Sequence, residues 1–251
     1  MFKKFFFYLI VICVVVSCSP NNVKSDKNID VLFEKAGMQG SFALMENGTE
    51  QFTIHNLSRY KDSAYAPLNS FFIVPALLAI DKGYMNQHAN TWVSFDSTGL
   101  YNSLIQKIGR QDVLKAMDSL HYGKGIVSND PIGFWQDNSL LITADEQLGL
   151  IKKLYFSELF FNKRSQDIAK QMILKEDNAN YKLSYIMAAD TTLQNTNQKN
   201  VGWMIGYVEE NKHPYFFVLN TTSYNSQAFA NKNVQLLKSI LLQQGFLKGL
   251  R

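Results

Sequence analysis

Two strand pairs at opposite ends of the 251-residue chain constrain its fold more than any other feature. Toward the N-terminus, Ser41-Phe42-Ala43-Leu44-Met45 and Gln51-Phe52-Thr53-Ile54 flank Glu46-Asn47-Gly48, the pattern of two short strands around an Asn-Gly turn. Toward the C-terminus, Val201 to Val208 and Tyr215 to Asn220 flank Glu209 to Pro214 and read as a second antiparallel hairpin. Between them the period is helical, over Phe71 to Lys82, Leu100 to Ile108, Gln111 to Ser119 and Ala144 to Phe156. The last of these carries Thr143 as its N-cap and Glu146 at the third helical position. Val234 to Gln244 closes as a helix with Gly245 as its stop signal. A lone hairpin cannot bury its apolar face, so the two pairs must share a sheet. The pattern predicts an α/β fold of the α+β type: one antiparallel sheet from the N- and C-terminal segments, flanked by helices, with an all-helical lobe inserted between.

Composition agrees with a packed globular body. Hydrophobic residues make up 46% and charged residues 18%, with 5 Pro and 14 Gly, which excludes disordered and collagen-like chains. The two cysteines, Cys13 and Cys18, stand in the first twenty residues, so the body holds neither a disulfide nor a cysteine-ligated metal. Met1 to Ser17 has the form of an export signal: Lys3-Lys4, the apolar run Phe5 to Val16, then Ser17-Cys18. Val15-Val16-Ser17-Cys18 resembles a bacterial lipobox, which predicts a lipidated Cys18; an ordinary signal peptide with an incidental cysteine is the plainer alternative. The expected organisation is a signal over 1–17, a lipidated tether over 18–28 and one domain over 29–251. Such a chain is exported and held on a membrane by its acyl group, facing the periplasm or the cell surface. Loss of Met1 to Ser17 removes two lysines and no acids, leaving 23 of the 25 basic side chains against 21 acidic ones. With no basic cluster interleaved with aromatics, nucleic acid is excluded as an expected partner.

Four segments then carry a resemblance. Tyr65-Ala66-Pro67 runs into Ile73-Val74-Pro75-Ala76-Leu77-Leu78-Ala79-Ile80-Asp81-Lys82-Gly83; Phe134-Trp135 follows, then Asn180-Tyr181-Lys182-Leu183-Ser184, then Gly202-Trp203-Met204-Ile205-Gly206-Tyr207-Val208-Glu209 with Tyr215-Phe216-Phe217. In this order, over Asn28 to Gly245, the chain resembles the class D serine β-lactamases and, more broadly, the penicillin-binding transpeptidase fold. The resemblance implies three catalytic motifs. In the first, Ser-x-x-Lys, a helix-borne serine attacks the lactam carbonyl and a carboxylated lysine takes its proton. Ungapped alignment puts Asn69-Ser70-Phe71-Phe72 there, with Asn69 at the nucleophile and Phe72 at the base; a one-residue slip offers Ser70 but pairs it with Ile73. The second, Ser-x-Val, falls on Asp96-Ser97-Thr98, with the serine one residue out of place. The third, Lys-Thr-Gly, which grips the substrate carboxylate and leaves room for the lactam, falls on Ile186-Met187-Ala188.

With nucleophile, base, shuttle and carboxylate anchor all departed, the resemblance implies a member without intact catalytic residues. Its vestigial pocket is expected to be filled by Phe72, Ile186 and Met187. Trp135, which in the family packs over the carboxylated lysine, becomes aromatic filling. The four histidines, His55, His88, His121 and His213, form no metal-ligand spacing, and no phosphate-binding glycine loop occurs, so neither metal nor cofactor is expected. The expected function is a catalytically inactive envelope lipoprotein that works by binding, to a cell-wall peptide or an envelope protein. The second reading is a residual or altered β-lactam or peptidoglycan-peptide acyl hydrolase, or a transpeptidase-like enzyme, using Ser70 with a base that the local sequence does not supply.

Overall fold

The computed structural model describes residues 22–85, 98–124, 127–190, 199–225 and 227–250. Cys18 and the signal lie outside them, as do Asp96 and Ser97. Nine strands and eight α-helices are present among the described residues. Seven of the strands form one sheet in the order β1-β3-β2-β9-β8-β7-β6. The central strands are β2 (Gln39–Glu46), β9 (His213–Ser223) and β8 (Asn200–Glu210), joined on one side by β3 (Gln51–His55) and on the other by β7 (Lys182–Ala189) and β6 (Leu174–Asp177). All these pairings are antiparallel, and the two predicted hairpins meet where Phe42 lies opposite Leu219 and Ala43 opposite Val218. The α+β reading is thus met, with the sheet centre supplied by both ends of the chain.

Three local expectations are corrected. The tether does not run to residue 28: β1 (Val23–Lys24) pairs in parallel with β3, and Asp26 caps α1 (Lys27–Ala36) by accepting from Asn28 N at 2.9 Å. A polar, turn-rich composition looked like linker, but Asp26 is a strong cap and Ile29 and Phe33 give α1 a buried face. The Asn-Gly turn is a four-residue connection in which the left-handed residue is Glu50 (φ 53°), not the two-residue hairpin turn that Asn-Gly favours. The first central helix splits into a 3₁₀ turn over Leu68–Phe72 and α3 (Ile73–Asp81). The other helices stand close to their predicted ranges: α4 (Thr98–Ile108), α5 (Arg110–Leu120) and α6 (Ala144–Phe156). The capping box at α6 forms, with Thr143 and Glu146 each bonding the other's backbone N–H. The closing helix α8 (Phe229–Gln243) starts five residues earlier than the periodicity alone suggested.

The alternation of strand side chains divides the interior in two. Phe42, Leu44, Met204, Phe217 and Leu219 meet α1 and α8 through Phe33, Leu237 and Ile240. Ala43, Met45, Ile186, Ala188, Trp203, Ile205 and Val218 face the helical middle of the chain. There α3 is buried from Ile73 to Ile80, the all-round apolar character of a helix at the centre of a domain. Helices α4, α5 and α7 (Lys163–Ile173) pack around it, and α6 packs on β8 and β9. None of the helices among the described residues is long and apolar enough to cross a membrane.

Candidate functional site

The first motif position lies where the helical lobe meets the sheet. Strand β4 (Ala64–Tyr65) pairs with β5 (Ile142–Thr143), and the next residue is pinned when Trp203 Nε1 donates to Ala66 O at 2.9 Å. Leu68 then takes a left-handed conformation (φ 52°), unusual for a branched side chain, while its N–H donates to Trp135 O at 3.0 Å. These restraints start the 3₁₀ turn and direct successive side chains to different surroundings. Asn69 stays partly exposed and accepts from Gln136 Nε2 at 3.4 Å.

Ser70 points inward and is fully buried. Its Oγ donates to Pro67 O at 2.6 Å and accepts from Gln147 Nε2 at 2.9 Å. Tyr122 is a further hydrogen-bond partner, and its own hydroxyl lies 3.5 Å from the same Gln147 nitrogen. Burial drives the Tyr122 phenol far above its usual range, so it stays protonated. A serine attacks a carbonyl when a base removes its proton and a substrate can reach the oxygen. Here the proton is committed to a backbone carbonyl, and among the described residues no amine, imidazole or carboxylate bonds Ser70 Oγ. The geometry is that of a structural hydroxyl locking a turn to a helix.

Both alternative base positions lie in the core. Phe72 and Ile73 are buried, and the Phe72 ring stacks on Tyr101 with centroids 4.1 Å apart and planes 10° apart. Trp135 meets the Phe72 ring edge-on at 5.5 Å and stacks on Phe71 at 5.3 Å. Phe134 and Tyr122 complete the cluster around Phe71. Trp135 is packed within this aromatic cluster, and its buried Nε1–H has no hydrogen-bond partner among the described residues. An orphan donor in an apolar interior is costly, about 1–3 kcal/mol.

The third motif lies on β7, which packs against the 3₁₀ turn. Ile186 and Ala188 face the helical middle and are buried, Ala188 lying opposite Trp203 and Ile186 opposite Ile205 in the ladder. Met187 does not help to fill the site. It points to the other face of the sheet, against the cluster under α1 and α8, because neighbouring strand residues alternate. The apolar filling on the site face comes from Phe71, Phe72, Trp135, Ile186 and Trp203. Of the second motif, Thr98 opens α4, and Asp96 and Ser97 fall outside the described residues.

The sequence reading missed Gln147 and Tyr122. Gln147 was legible as a polar residue within the stripe Ala144, Leu148 and Ile151 of α6, a position that must be hydrogen-bonded if buried. Tyr122, just past α5, carried no such signal. Among the described residues no three His, Cys, Asp or Glu side chains gather to hold a metal.

No protein-family model matches the chain. It is 26% identical over 242 residues to β-lactamase OXA-48 of Klebsiella pneumoniae, the match covering 88% of this chain and 89% of that one. It is also 26% identical over 242 residues to the regulatory protein BlaR1 of Bacillus licheniformis, covering 87% of this chain but 39% of that longer protein. The C-terminal domain of the Bacillus licheniformis BlaR penicillin-receptor superposes with a TM-score of 0.79 at 25% identity, over 89% of this chain and 96% of that domain. In sequence and fold the chain is similar to both class D β-lactamases and BlaR/MecR1 sensor domains. These similar proteins include β-lactamases and a penicillin receptor, so the likeness supports the penicillin-binding fold and leaves function to the site.

Proposed function

We propose that the chain is a non-catalytic member of the penicillin-binding fold, an envelope lipoprotein anchored through Cys18 that acts by binding a cell-wall peptide or an envelope protein. The observation that carries this reading is Ser70: its Oγ is buried and donated to Pro67 O, with Phe72 and Ile73 where a base would stand. Similarity to a regulatory protein and to a penicillin-receptor domain shows that this fold also serves proteins named for sensing, which makes a binding role compatible with it. The lost residues at Asn69, Asp96, Thr98, Ile186 and Ala188 are consistent with release from selection for acyl transfer, while the framework segments between them persist.

The test is the intact mass of the folded protein after incubation with excess penicillin or carbapenem. The expected result is no covalent increase with either drug. An increase equal to the drug, lost in Ser70→Ala, would overturn the reading and make the chain an acyl-transfer enzyme. Metabolic labelling with a fatty-acid analogue tests the anchor, with label expected on the wild type and absent from Cys18→Ser.

A further inference from the structure

At the end of the sheet where β2 starts, β9 ends and β8 starts, two cations bond the side chains of one cross-strand pair, Arg59 that of Thr222 and Lys199 that of Gln39. The short helix α2 (Leu57–Asp62) is docked there when Asn56 Nδ2 donates to Gly40 O at 3.1 Å. From it Arg59 reaches across the sheet, its Nε and Nη2 both donating to Asn220 Oδ1 at 3.0 and 2.8 Å and its Nη1 to Thr222 Oγ1 at 3.4 Å. Thr222 Oγ1 donates in turn to Gln39 O at 3.5 Å, and Gln39 Oε1 accepts from Lys199 Nζ at 2.8 Å. Each cation also lies over a tyrosine ring, Arg59 4.5 Å from the centre of Tyr65 and Lys199 5.1 Å from that of Tyr224.

Among the described residues neither cation belongs to an ion pair. Lysines 82, 115, 170, 182 and 238 each have a carboxylate within reach, whereas Arg59 and Lys199 have amides, a hydroxyl and aromatic faces. Burial pulls the Arg59 guanidinium below its ordinary range, opposed only by Tyr65. A second observation points the same way. Ser41 stands directly across the ladder from Asn220, on the face that Arg59 covers, and its buried Oγ has no partner among the described residues. Among the described residues the arrangement therefore combines a planar guanidinium with donors to spare, an ammonium and a hydroxyl, with no carboxylate bonded to either cation.

We propose that Arg59 and Lys199 form a binding site for a small oxyanion, a carboxylate or a phosphate group. Arg59 supplies the fork that matches two oxygens, Lys199 a second positive charge on the adjoining strand pair, and Tyr65 and Tyr224 the aromatic faces. The site is independent of any reaction at Ser70. It lies at the same end of the sheet as Ala188 and Ala189, where β7 finishes, on the face shared with Trp203.

Calorimetric titration of the purified full-length chain with inorganic phosphate, and separately with acetate, at fixed ionic strength tests it. The expected result is saturable one-site binding of at least one anion, weakened tenfold or more in Lys199→Gln and in Arg59→Gln. The tighter of the two anions names the group recognised. Should Arg59→Gln fail to fold, Lys199→Gln keeps the test intact, since Lys199 is half-buried and makes one hydrogen bond and one aromatic contact, neither within the core. Absence of saturable binding by both anions, or unchanged affinity in Lys199→Gln, would overturn the proposal.

Discussion

Replacing Ser70 with alanine separates a structural hydroxyl from a catalytic one. The wild-type oxygen is the hub of a closed network: it donates to Pro67 O, accepts from Gln147 Nε2 and is bonded to Tyr122. Pro67 O keeps a second donor, Ser70 N–H at 3.2 Å, so it survives the change. Gln147 does not, because its other contact, Tyr122, is at 3.5 Å and its Oε1 already lacks a partner. Leaving a buried amide and phenol short of partners costs about 1–3 kcal/mol. For a chain of this size that lowers Tm by roughly 2–12 °C, at about 2–4 °C per kcal/mol. Urea unfolding followed by circular dichroism measures the loss, with an unchanged slope showing that the unfolded ensemble is the same. The triple variant Ser70→Ala, Gln147→Leu, Tyr122→Phe removes every group in the network and leaves no orphan. It should cost less than the sum of its three single changes, by about 0.5–3 kcal/mol of coupling. The reasoning fails if Ser70→Ala shifts stability by less than about 0.5 kcal/mol and the three single changes add.

Three further outcomes follow from the same geometry. Phe72→Ala should destabilise by about 3–5 kcal/mol, since the ring is sealed between Tyr101 and Trp135, and chemical denaturation reads it directly. Ile186→Lys buries an unpaired ammonium against the aromatic cluster and should cost about 3–5 kcal/mol, whereas Met187→Lys, half-buried on the opposite face, should cost about 1 kcal/mol or less; equal costs would refute the facing assigned to β7. Burial raises the phenols of Tyr60, Tyr101, Tyr122, Tyr155 and Tyr207, the last to about 12, against an ordinary value of 10.0. Each folded value lies above its unfolded one, so this stability is fully present below pH 10 and is lost as pH climbs beyond it. Tyrosinate absorbance should therefore rise together with loss of circular dichroism above pH 10, and full titration of these tyrosines in a folded chain would contradict their burial.

The sequence was most informative where a pattern is local and strong. Thr143 and Glu146 announced the α6 cap, and the two hairpins announced the sheet, because capping and alternation depend on residues a few positions apart. The segments around Pro67, Phe134 and Trp203 were enough to point to class D β-lactamases, among which similar proteins are found. The tether was misjudged because α1 draws its stability from α8, more than two hundred residues away, and not from its own propensity. The assignment of Met187 to the pocket failed for a different reason. The motif was read as three consecutive residues, while a strand sends alternate ones to opposite faces.

The residues themselves determined that this chain has no lysine at either candidate base position and no Lys-Thr-Gly on its third motif, since those are questions of identity. Only the folded chain decided what stands in their place. Whether Ser70 is an open nucleophile or a buried strut depends on Gln147 and Tyr122, 77 and 52 positions away, and on a backbone turn that aims its hydroxyl at Pro67 O. The pairing of Arg59 with Asn220, across a separation of 161 residues, and of Lys199 with Gln39, is likewise invisible along the chain. Such contacts arise because the sheet is assembled from both termini, so side chains distant in sequence become neighbours when β2 docks between β3 and β9.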